Sequence, residues 1–162
     1  MQISAKTWNE YITRLSRLNQ KAGQLMRDYI DRHGTADTAD LIAYAYGLVT
    51  KYGEGSAELA CQMYDALAEA QGALVPAAEP AETASYNEVA RMVNATKDQN
   101  PANLPNGVSR LVKRAGADTS LRNAARDGAE WAWVPHGDTC PFCITLASNG
   151  WQNASDKVLK GG

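Results

Sequence analysis

The residues with the most chemical potential sit near the C-terminus, in the run His136-Gly137-Asp138-Thr139-Cys140-Pro141-Phe142-Cys143. Two cysteines three apart, beside a histidine four residues upstream of the first, can do one of three things. They can hold half of a zinc site, because Cys-x-x-Cys is the spacing of one arm of a structural tetrahedral centre and His136 lies within reach as a third ligand. They can exchange a disulfide, because a helix N-terminus favours the thiolate. They can also be two quiet thiols on a turn, or a strained disulfide. The sequence carries no second Cys-x-x-Cys or His pair to complete a four-ligand set, and His33 and Cys61 are remote in sequence. Redox exchange normally accompanies a βαβ pattern, which is absent here. The three readings stay open, with structural thiols weighted first and an incomplete metal set of His136, Cys140 and Cys143 second.

Catalytic patterns are sparse. There is no Gly-x-Ser-x-Gly, no glycine-rich phosphate loop and no His-Glu-x-x-His, and the chain has only two histidines. Cys140 as nucleophile with His136 as base lacks any third group or oxyanion donor, and nothing specifies Glu130 and Asp138 as an acid–base pair. The expectation is a protein that binds rather than catalyses, with no cofactor unless zinc joins the cysteine pair.

The elements that must position this segment read as helices. Of 162 residues 27 are alanine, the residue that loses least on entering a helix. Thr7 and Glu10 have capping-box spacing. From there Trp8, Tyr11, Leu15, Leu18, Ala22, Leu25 and Tyr29 recur in alternating steps of three and four, a heptad-like seam. That seam packs either within the chain or against a partner or a sister copy, and Trp8, Tyr11, Leu15, Leu18, Leu25 and Tyr29 are the partner-binding candidates. Gly34 reads as the stop. A second helix is expected over about 38–52 with Gly53 after it, and a third from Ser56 to Gly72, forming a small antiparallel bundle. Cys61 falls inside the third, as a small buried hydrophobe.

ALVPAAEPAETA (73–84), with two prolines and no period, is an extended connector. Ser85 and Glu88 form a second capping box, and helical stretches are expected over about 106–116 and 119–133. Pro141 suits the first turn of a last short helix running through Ile144, Leu146 and Ala147. The fold class is therefore mainly α. A helical bundle over 1–72 is joined by the connector 73–84 to a smaller helical subdomain, 85–162, that ends in the CPFC turn.

A formal charge of −2 and an isoelectric point near 5.7 argue against a dedicated nucleic-acid binder. A basic face at Arg110, Lys113, Arg114, Arg122 and Arg126 remains a candidate DNA contact, although a solvated face balanced by acids is the plainer reading. The N-terminus lacks the apolar core of a signal peptide, no stretch reaches membrane-spanning length, and three cysteines make no disulfide framework. A soluble chain made in a reducing cytoplasm is expected.

One family resemblance rests on Arg122, Arg126-Asp127-Gly128, Trp131, Trp133, Gly137-Asp138, Cys140-Pro141-Phe142-Cys143 and Leu146-Ala147-Ser148-Asn149-Gly150-Trp151. It continues backwards through residues 64–94 and the first helix. With these residues the chain resembles the Mu-type phage minor head proteins, also called head-morphogenesis or minor capsid proteins. The resemblance implies a non-enzymatic virion component in few copies. It would be made in the host bacterial cytoplasm and associate with the portal and other head proteins inside the head. It would assist assembly, packaging or release of DNA, with packaged DNA and a second copy as further partners. It also implies architectural roles for the tryptophans and a stapling role for the cysteine pair. The family typically carries a further His and Cys cluster downstream; the sequence to Gly162 has none, so the pair would not complete a metal or disulfide set by itself.

Overall fold

The computed structural model describes residues 4–133, 142–145 and 152–153, with side chains described as far as Ala129. Four α-helices account for most of it: α1 (Ala5–His33), α2 (Thr38–Ala70), α3 (Tyr86–Lys97) and α4 (Leu104–Arg126), with a short 3₁₀ turn at Pro101–Asn103. Three antiparallel strands follow, β1 (Glu130–Trp133), β2 (Phe142–Thr145) and β3 (Gln152–Asn153), in the order β2-β1-β3. The fold is mainly α, with the proline-containing connector between α2 and α3.

Local signals set several boundaries. Ser85 caps α3: its hydroxyl accepts from the Glu88 amide at 3.2 Å, and the Glu88 carboxylate accepts from the Ser85 amide at 3.4 Å. The reciprocal bonds satisfy two amides that a helix start leaves orphaned. Gly34 and Gly72 close α1 and α2 in the left-handed region. At the first helix the cap lies one turn earlier than Thr7: the Ser4 hydroxyl accepts from the Thr7 amide at 3.2 Å, which places Thr7 inside the helix.

Three departures from the sequence reading are informative. The expected helices over 38–52 and from Ser56 are one continuous 33-residue helix. Gly53 acts in it as a close-approach residue rather than a stop. A Cβ there would meet Thr83 Cγ2 at 2.9 Å and Ala115 Cβ at 3.6 Å, so the missing side chain lets the connector and α4 lie against α2. Packing of that kind outweighs the roughly 1 kcal/mol that glycine costs in a helix relative to alanine.

The stretches expected over 106–116 and 119–133 are likewise a single helix, α4, ending at Arg126. Residues 130–133 are strand. The short helix expected from Pro141 through Ala147 is replaced by β2, whose residues pair with β1 as Trp131↔Ile144, Ala132↔Cys143 and Trp133↔Phe142. The aromatic and β-branched content of EWAW and FCIT suits a pleated ladder better than a helix.

Two compact units divide the chain. One comprises Met1–Leu15, Ala57–Ala81 and Gly116–Gly162; the other comprises Ser16–Ser56 and Glu82–Ala115. The second has the larger core. Met26, Leu41, Ala45, Val49, Val89, Val93, Leu104, Val108 and Val112 are fully buried there, and Tyr29 stacks on Tyr44 with ring centroids 4.2 Å apart. The first unit has a small apolar cluster of Tyr64, Leu67, Ala124 and Ala129, against which Val75 and Ala78 of the connector pack.

Candidate functional site: the connector clamp and the C-terminal sheet

The connector has no ladder of its own, so its backbone polar groups need partners elsewhere. Side chains of α2 and α4 within the first unit provide them. The Ala78 amide donates to Asp65 Oδ1 at 2.8 Å, and the Ala81 amide donates to the hydroxyl of buried Thr119 at 3.0 Å. Asn123, also buried, grips Glu79 from both sides of the peptide. Its Oδ1 accepts from the Glu79 amide at 3.0 Å, and its Nδ2 donates to the Glu79 carbonyl at 2.8 Å. Arg126 donates to the carbonyls of Pro76 and Ala77 at 2.9 and 3.1 Å.

The Arg126-Asp127-Gly128 run closes this clamp. Arg126 forms two 2.8 Å bonds to the Asp127 carboxylate, through Nε and Nη2, and Tyr64 donates to the same carboxylate at 2.8 Å. Gly128 turns the chain out of the helix at φ +62°, and the Ala129 amide returns to the Ala124 carbonyl at 2.8 Å. A Cβ would be strained at that φ, which explains glycine at the turn between α4 and β1.

Two ionisations are displaced by this arrangement. The Arg126 guanidinium, with help from the Tyr64 hydroxyl, holds the Asp127 carboxyl below the usual aspartate range. Burial, and then the bond to Asp127, pushes the Tyr64 phenol up. A carboxyl lowered by folding stabilises the native state above its unfolded value and loses that contribution on acidification. A phenol raised by folding does so below its unfolded value and loses it as pH rises. Thermal unfolding should therefore show stability falling below about pH 4 and again above about pH 10, the ordinary values of the two groups. Asp127→Asn should flatten the acid limb and Tyr64→Phe the alkaline limb. Unchanged limbs in the variants would contradict the assignment.

The cysteine segment is divided by the described residues. Cys143 is in β2, where it pairs with Ala132 of β1. His136 and Cys140 lie outside the described residues, and with them the expected metal set of His136, Cys140 and Cys143. Among the described residues no group of three or more His, Cys, Asp or Glu could hold a metal ion. Cys61 is buried in α2, and burial pushes its thiol up, away from the reactive thiolate.

The heptad seam of α1 is spent largely inside the chain. Leu15 and Ala22 are buried with Ile12, Asn19 and Met26, a stripe displaced from the expected one, and Leu25 and Tyr29 pack on the second unit's core. Trp8, Tyr11 and Leu18 are half-buried.

The basic residues of α4 do not form one free set. Arg110, Lys113 and Arg122 are exposed, Arg114 pairs with Glu88 at 2.7 Å, and Arg126 is committed to the clamp. The clamp residues Tyr64, Asp65, Thr119 and Asn123 were not signalled by any local motif; only Arg126-Asp127-Gly128 stood out, through the family resemblance.

Comparison with known proteins gives a family model, described as VG15 protein, that matches residues 2–162. No curated protein and no solved structure matches the chain. No helix among the described residues is long and apolar enough to cross a membrane.

Proposed function

The chain belongs to the VG15 protein family, a viral gene protein family, and from that membership we propose that it is a minor capsid protein of a tailed bacteriophage. In this reading it binds the portal on the inside of the head and assists assembly, packaging or ejection of DNA, acting by binding rather than by catalysis. The observation that carries the reading is the extent of the family match. It runs through the helices, the Arg126-Asp127-Gly128 clamp and the Cys140–Cys143 segment alike. The clamp residues then have an architectural role, fastening the connector to α2 and α4 so that helix surfaces are presented in a fixed arrangement within the first unit.

Of the seam residues, Trp8 and Tyr11 are the portal-facing candidates. They are half-buried aromatics, a residue type that supplies large contact area at interfaces. Coexpression with the portal protein of the same virus should yield a complex that survives size-exclusion chromatography. Tyr11→Glu should weaken it at least tenfold while leaving the helical circular-dichroism signal intact. A chain that elutes alone, or only as a self-associated oligomer, in the presence of folded portal would refute the assignment.

A further inference from the structure

In the second unit, α1 and α2 line an open cleft of about 610 Å³ whose walls are Arg17, Leu18, Gln20, Lys21, Gln24 and Tyr52. Its charge is one-sided. Between Tyr11 and Arg27 the chain has four basic residues and no acidic one, although the whole chain is formally −2. Arg17 and Lys21 are exposed, and Lys51 of α2 is also exposed, with its ammonium 5.4 Å from the Tyr52 ring centroid. Among the described residues none of the three has a carboxylate at ion-pair distance.

The nearest acid along α1, Asp28, accepts from Gln24 Nε2 at 2.8 Å at the far end of the cleft. Glu54 is two residues beyond Tyr52, which puts it roughly 200° around α2 from that ring. Cations left unneutralised on an acidic chain, around a half-buried aromatic ring and a free glutamine, are what a phosphodiester backbone requires. The cations meet phosphates, the carboxamide of Gln20 meets a phosphate or sugar oxygen, and the accessible part of the half-buried ring meets a sugar or base.

We propose that this cleft is a nucleic-acid backbone site, centred on Arg17 and Lys21, with Tyr52 in its wall and Lys51, whose ammonium lies by that ring, as a further cation at its edge. An acidic protein surface would satisfy the cations but would make no particular use of the ring, so nucleic acid is the better occupant. The site differs from the α4 face at Arg110 and Lys113, and it stands whether or not the chain binds a portal.

The test is fluorescence anisotropy with labelled duplex and single-stranded DNA of mixed sequence, using the full chain at two salt concentrations. Three phosphate contacts predict that affinity for duplex falls about 40-fold between 50 and 200 mM salt. The double variant Arg17→Glu/Lys21→Glu should lose at least tenfold in affinity at 50 mM salt and most of the salt dependence. Both positions are exposed, so its melting temperature should match that of the parent; Arg17→Gln/Lys21→Gln serves as the milder check, with a smaller loss in the same direction. Arg110→Glu/Lys113→Glu should leave binding nearly unchanged.

Tighter binding of the single strand than of the duplex would assign stacking on Tyr52, and equal binding would assign phosphates alone; either supports the site. Absence of binding at 50 mM salt, binding that the α1 variants leave intact, or equal affinity for polyglutamate would each overturn it. Failure of the portal complex with DNA binding retained would remove the proposed function and leave this site standing.

Discussion

Leu41→Ala should lower the free energy of unfolding by about 2–5 kcal/mol, the range for removing a fully buried leucine from a packed core. Leu41 has no exposed surface and belongs to the cluster that joins α1, α2, α3 and α4 within the second unit. Five members of that cluster are β-branched valines, Val49, Val89, Val93, Val108 and Val112. These side chains have restricted χ1 freedom and cannot swing into the space that a lost isobutyl group leaves. The upper half of the range is therefore expected. Urea denaturation followed by far-ultraviolet circular dichroism reads the change. A loss under 1 kcal/mol, with an unchanged m-value, would mean that the cluster is looser than its burial implies.

Asn123→Ala should have the second-largest effect, about 2–4 kcal/mol, from a polar rather than an apolar cause. The side chain makes three bonds: two to the Glu79 peptide and one to the Thr119 carbonyl at 2.7 Å. Removing it leaves the Glu79 amide and carbonyl without their protein partners, and the orphaned groups cost more than the bonds themselves contribute. Asn123→Asp tests the same geometry. It keeps the acceptor for the Glu79 amide but loses the donor to both carbonyls, so it should recover only part of the loss. In either variant limited proteolysis should cut within 73–84 sooner than in the parent, because the connector is held by side chains and not by a strand ladder. Equal cleavage rates in parent and variants would contradict the clamp.

How much of this was legible in the sequence follows the range of the interactions involved. The capping box at Ser85 and Glu88, the stops at Gly34 and Gly72, and the unstructured period of the connector are local, and the structure shows all of them. Gly53 to Ser56 is also a local signal, but its meaning is set by distant residues. Thr83 and Ala115 need the space a side chain would take, so two apparent helices are one. The β1–β2 ladder was hidden because Pro141 and the following apolar residues suit a helix start equally well. Only pairing with residues 130–133 decides between them. The clamp was least legible. Apart from Ala78–Asp65, Asn123–Thr119 and Arg126–Asp127, its bonds link residues 38 to 63 positions apart, a separation at which no spacing rule operates.

The candidate chemistry shows the same division. Arg126-Asp127-Gly128 was visible as a motif, and its geometry explains each residue: an arginine for two connector carbonyls, an aspartate to hold that arginine and Tyr64, and a glycine for the turn. Arg17, Lys21 and Lys51 did not stand out, because basic residues off an apolar seam ordinarily mark a solvated face. Their significance appears only when α2 brings Tyr52 into the cleft that Arg17 and Lys21 line, with the Lys51 ammonium by its ring. Arg114 and Arg126, by contrast, looked free in the sequence and are engaged with Glu88 and with Asp127 and the connector.

The most direct test of the portal assignment is imaging of purified virus particles with reconstruction of the portal vertex. A minor capsid role predicts density on the head-side surface of the portal into which the long helices α1, α2 and α4 fit, together with detection of the chain by mass spectrometry of the same particles. Mature particles and their assembly intermediates that both lack the chain, with the portal vertex clear of such density, would contradict it.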